Sequence, residues 1–122
     1  EGGWTVKQVV HHLADSHMNA FIRCKLALTE ENPIIKPYNQ DTWVLTPDVT
    51  AVNINVSITL LHALHLRWHE LFTALTPSEF ERTVMHPEYN RQMSLWFILG
   101  LYAWHGKHHV AQIASLKQRM NW

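Results

Sequence analysis

Cysteine is almost missing from this chain: its 122 residues include one, Cys24. A lone cysteine excludes an internal disulfide and fits a reducing compartment, so a cytoplasmic location is expected. Charge is scarce as well. Asp, Glu, Lys and Arg make up 16% of the residues, and 10 basic side chains cancel 10 acidic ones. Binding to nucleic acid or to a membrane surface normally needs a clustered basic excess, so neither is expected. The longest apolar run, "LWFILGLYAW" (Leu95–Trp104), has about half the length of a membrane span. No signal peptide is visible. The few glycines build no phosphate-cradling loop and no Gly-x-Ser-x-Gly nucleophile elbow.

Apolar residues and histidine are what the chain has in quantity. Hydrophobic residues account for 47%, which suits one globular domain over residues 1–122 with a single core. Ten histidines and six tryptophans are high counts for this length.

The first helix is marked by a capping box, Thr5-x-x-Gln8, with Trp4 and Val9 placed as a hydrophobic staple. Val6, Val9, Val10, Leu13, Ala20, Phe21, Cys24 and Leu28 repeat with a helical period, and Asn32-Pro33 ends it. Cys24 falls on that apolar face, which predicts a buried, inert thiol. Residues 33–50 hold three prolines and no period, and read as a long crossing loop in which Trp43 could cover a pocket. A second helix runs from Asn53 or Ser57 to Leu75; its β-branched start leaves the boundary open. Thr76-Pro77-Ser78-Glu79 caps a short helix ending near Arg82. "TVMHPEYNRQMS" predicts a small β-hairpin turning at Pro87–Asn90. A last helix spans Ser94 to Met120. Three long helices and a hairpin predict an all-α antiparallel bundle one helix short of the common four.

Histidines interrupt the apolar faces. On a helical wheel His105 and His109 lie at the centre of the arc made by Ile98, Leu101, Tyr102, Leu116 and Met120, with Gln112 beside them and His108 at its edge. One histidine in such a stripe is ordinarily a hydrogen-bonded core residue. Two at i, i+4 aim both rings at one spot, and each buried ring nitrogen left unpaired would cost roughly 1–3 kcal/mol. A divalent metal removes that cost. The motif is not the zincin His-Glu-x-x-His, because Gly106 follows the first histidine and that general base is absent.

A third ligand has to come from elsewhere. In "HHLADSH" the wheel places His17 centrally, His12 on the flank and His11 outward, toward solvent. The wheel slightly favours His17, yet a helix in a bundle touches two neighbours, so His12 stays open. The second helix carries His62, His65 and His69, interleaved with Arg67 and Glu70, which reads as a solvated edge. His65, Arg67 and Trp68, with Tyr38, are candidates for contact with a small-molecule substrate. His86, in the hairpin, has no obvious partner.

"GGWTVKQVVHHLADSHMNAFIRCKLALTEENP", followed by "LGLYAWHGKHHVAQI" and a closing "RMNW", resembles the DinB/YfiT-like superfamily of metal-dependent enzymes. The likeness is strongest to its YfiT branch of metal-dependent hydrolases, related to bacillithiol S-transferases. It extends to "RW" in the second helix and "HP" in the hairpin. The resemblance implies a four-helix bundle, often a homodimer, whose first helix precedes "GGW" and is not in this sequence. It also implies a three-histidine metal site, carried over to His12, His105 and His109. His17, Asp15 and Gln112 then become candidates to support the ligands.

Three neutral imidazoles leave coordination positions open, the pattern of a catalytic site. Zinc is the default ion for such ligands and nickel an alternative. The resemblance implies a hydrolase that activates water. A transferase activating a low-molecular-weight thiol, and a non-catalytic metal-binding stress protein with His17 as fourth ligand, are the other readings. No general base is identifiable from the sequence.

Overall fold

A computed structural model of the chain describes residues 3–122. Glu1 and Gly2, where the GGW motif starts, lie outside them. Helix α1 (Val6–Thr29) begins at the expected box: the Thr5 hydroxyl accepts the Gln8 amide at 3.2 Å, and Gln8 Oε1 accepts the Thr5 amide at 2.8 Å. Both bonds satisfy donors that the first turn cannot. At the other end, Arg82 donates to the carbonyls of Ala27 and Glu30 and pairs with Glu31 at 3.0 Å.

The segment read as an irregular crossing holds two short helices, α2 (Gln40–Trp43) and α3 (Pro47–Ala51). Asn39 Oδ1 accepts the amides of Asp41 and Thr42 to start the first, and Pro47 stands at the first position of the second. Helices of four and five residues show no hydrophobic period, which is why pattern reading missed them. Helix α4 (Ile54–Thr73) starts at the Asn53 cap, so its β-branched opening is helical throughout. Helix α5 (Pro77–Phe80) and strands β1 (Thr83–His86) and β2 (Arg91–Ser94) form as expected, the strands antiparallel. Asn90 closes their turn at φ 45°, a left-handed conformation asparagine tolerates. Ile34 adds a parallel rung on β1, with Met85 bonded to Pro33 and Ile35. Helix α6 (Leu95–Met120) follows directly, capped by Ser94.

α1 is the common partner of α4 and α6. Its core face is built of small residues, Ala20, Cys24 and Ala27, all with no exposed surface. Small side chains let Trp68, Leu95 and Ile98 approach its backbone closely. Each large apolar side chain buried there contributes roughly 1.5–3 kcal/mol. Burial pushes the Cys24 thiol up to about 12, which makes it inert as the sequence implied. Among the described residues, no helix is long and apolar enough to cross a membrane.

Candidate metal centre

α6 carries His105 and His109 one turn apart, and α1 brings His12 against them. The His12 ring centroid lies 5.4 Å from that of His105 and 5.2 Å from that of His109. One ligand nitrogen from each of the three lies within 4.8 Å of the other two. The Nε2 atoms of His105 and His109 are 3.1 Å apart. Two nitrogens bound to one tetrahedral zinc at 2.0–2.1 Å stand about 3.3 Å apart, so the spacing suits a shared ion.

The electrostatics point the same way. Burial, reinforced by His109, lowers His12 to about 4. Burial, then His109 and His12, lowers His105 to about 4. Burial also lowers His109, opposed in part by its bond to Gln112. All three rings are therefore neutral at pH 7, the form in which imidazole binds a metal. Gln112 supports this directly: its Oε1 lies 2.8 Å from His109 Nδ1 while its Nε2 lies 3.1 Å from His108 Nε2. An amide oxygen only accepts, so His109 carries its proton on Nδ1 and presents a bare Nε2 to the centre. The donor set fits a divalent ion.

A cavity of about 610 Å³ opens beside the centre. His109 and Gln112 line it on one side, Trp4, Val6 and Val9 on another, and Asp41 enters from α2. Arg119 stands at the C-terminal end of α6, and Ile113 and Leu116 give the wall between. The negative charge of Asp41 also favours the protonated form of His12. Asp41 was not anticipated from the sequence. The only signal for it was the Asn39 cap, which orients the first turn of α2.

The other sequence candidates fall in different places. His17 is 3% exposed and sits behind His105, with its Nε2 3.3 Å from His105 Nδ1. That is the nitrogen turned away from the converging ligand atoms. His65 bonds His17 at 2.7 Å and, with Trp68, lines a second cavity of about 420 Å³ between α4 and α6. Tyr38 and Trp43 pack at 4.5 Å around a smaller cavity. Arg67 covers the Phe21 ring. Asp15 is half-buried; Asn19 donates to its backbone carbonyl, and its carboxylate makes no hydrogen bond among the described residues. His11 is a correction. It was expected in solvent, but is 5% exposed and bonded to Ser57 Oγ at 2.7 Å and the Val52 carbonyl at 3.3 Å. The wheel shows one apolar face, whereas α1 also has α3 and α4 against its flank. His86 is likewise buried, against Tyr89 at 4.4 Å.

Residues 1–113 match the family model of the DinB superfamily. The chain belongs to the DinB superfamily. A relative from Oceanobacillus iheyensis is 54% identical over 121 residues, covering 99% of this chain and 69% of the relative. Another, from Bacillus mycoides, is 52% identical over the same shares. Both carry the name "putative metal-dependent hydrolase". The solved structure of YfiT from Bacillus subtilis superposes with a TM-score of 0.97 at 50% identity, covering 99% of this chain and 69% of that one. It is described as a probable metal-dependent hydrolase with an unusual four-helix bundle topology. The small hairpin and the long helices of this chain are thus family architecture.

Proposed function

We propose that this chain is a metal-dependent hydrolase acting on a small molecule bound in the cavity beside His109. The observation that carries the reading is the convergence of three neutral imidazoles, from two helices, at the edge of an accessible cavity that also holds a carboxylate. A divalent ion held by His12, His105 and His109 would act as a Lewis acid and lower the pKa of water toward neutrality; zinc is the default and nickel a competitor.

The chain's own residues supply the rest. The Asp41 carboxylate, which lines the same cavity as His109, is our choice for the group that accepts the proton of the attacking water, the role the sequence left unfilled. Val6, Val9, Ile113 and Leu116 pack the apolar body of the substrate. Arg119 makes no side-chain hydrogen bond or ion pair among the described residues and offers its fork to an anionic group. A closed, purely structural site is disfavoured, because His17 meets the far nitrogen of His105 instead of the ligand cluster.

The test is a rate panel on chelator-stripped protein before and after zinc is restored. Esters and amides with anionic tails are set against conjugation of a low-molecular-weight thiol to a model electrophile. Zinc-dependent hydrolysis is the expected result. Zinc-dependent conjugation alone would make the chain a thiol transferase, and no zinc response in either arm would end both enzyme readings.

A further inference from the structure

His105 faces the centre through Nε2, and a neutral imidazole has one proton. For Nε2 to be bare, Nδ1 must carry that proton and needs an acceptor. The group opposite it is His17 Nε2, at 3.3 Å. His17 must then be bare at Nε2 and protonated at Nδ1, which lies 2.7 Å from His65 Nε2. The chain of bonds closes without conflict: His105 donates to His17, and His17 donates to His65. It spans all three long helices, α6, α1 and α4.

His17 has little freedom to leave this position. Tyr102 packs edge-on against its ring at 5.2 Å and Trp68 at 6.0 Å. The two α6 ligands are thereby held by unlike devices. His109 is steered by an amide three residues along its own helix. His105 depends on a ring from another helix, itself held by a third.

We propose that His17, held by His65, is the positioning residue that sets the ring orientation and proton placement of His105 for metal binding. This rests on the reading that the triad binds a divalent ion. Supporting partners of metal-bound histidines typically change affinity by 10–100-fold.

The experiment titrates Co²⁺ into the chelator-stripped full chain and follows its visible absorption, with Zn²⁺ affinity measured by competition. His17→Leu removes the acceptor and keeps the bulk. His17→Gln restores an oxygen acceptor, and His65→Leu frees His17. The expected result is a 10–100-fold loss of affinity with His17→Leu, recovery of most of it with His17→Gln, and a smaller loss with His65→Leu. Wild-type affinity and spectrum in a folded His17→Leu chain would overturn the proposal, as would failure of His17→Gln to bind better than His17→Leu. Should His17→Leu not fold, an unchanged affinity in His65→Leu, altered on the exposed side of the chain, would overturn it instead. Absence of Co²⁺ binding by the wild-type chain would overturn the metal reading itself, a distinct result.

Discussion

Acid should destabilise the metal-free chain well above the pH at which carboxylates titrate. His12 and His17 are each 3% exposed, and burial lowers them from an ordinary 6.5 to about 4 and about 3. Folded, these rings resist a proton; unfolded, they take one near pH 6.5. Their contribution is therefore constant above pH 6.5 and lost as the pH falls toward 4 and then 3. At about 1.4 kcal/mol per pH unit, each ring removes about 2 kcal/mol between pH 7 and pH 5. The pair removes about 4 kcal/mol. His105 is lowered similarly, but its ring edge is wetter and its share is discounted for screening. A domain of this size has a total stability of about 5–15 kcal/mol, so the loss is a large fraction. Urea melts in excess chelator at pH 7, 6 and 5 measure it. With a urea slope of about 2 kcal/mol per molar, the midpoint should fall by about 2 M from pH 7 to pH 5. A midpoint flat to within about 0.3 M would refute the claim that these rings are buried and neutral. Zinc in place of chelator should raise stability at pH 7 and keep most of that effect at pH 5, because His12 and His105 stay largely neutral in the folded chain until the pH nears 4.

Other outcomes follow from the same structure. His105→Ala should abolish stoichiometric metal content by elemental analysis, whereas His11→Ala should retain metal. His11→Ala should nevertheless cost about 1–3 kcal/mol in chemical denaturation, because it strands the buried Ser57 hydroxyl. Asp41→Asn should lower zinc-dependent hydrolysis about 100-fold or more with metal content unchanged; loss of metal instead would show the carboxylate to be structural. Arg82→Ala should cost about 2 kcal/mol and speed amide hydrogen exchange at Leu28–Glu31, because it uncovers the carbonyls of Ala27 and Glu30.

Much of the architecture was written locally. The Thr5–Gln8 and Thr76–Glu79 boxes, the Asn53 and Ser94 caps and the turn near Asn90 are short-range devices, so each could be read without knowing the fold. The i, i+4 pair on α6 was legible for the same reason: one helical turn places both rings together whatever surrounds them. Resemblance to a family then supplied His12, which the wheel alone did not prefer.

Long-range packing decided the remainder. Whether His11, His12 or His17 meets the pair depends on which neighbour covers each side of α1. A wheel averages one apolar direction, while this helix is enclosed by α3, α4 and α6. Asp41 came to line the cavity beside the centre because an asparagine cap starts a four-residue helix there, too short to leave a periodic trace. From local spacing alone, the chain specified its helices and a pair of imidazoles able to grip an ion. Only the folded arrangement turned that pair toward a third ring, set His17 behind it and opened a cavity in front, because those contacts join residues from opposite ends of the chain.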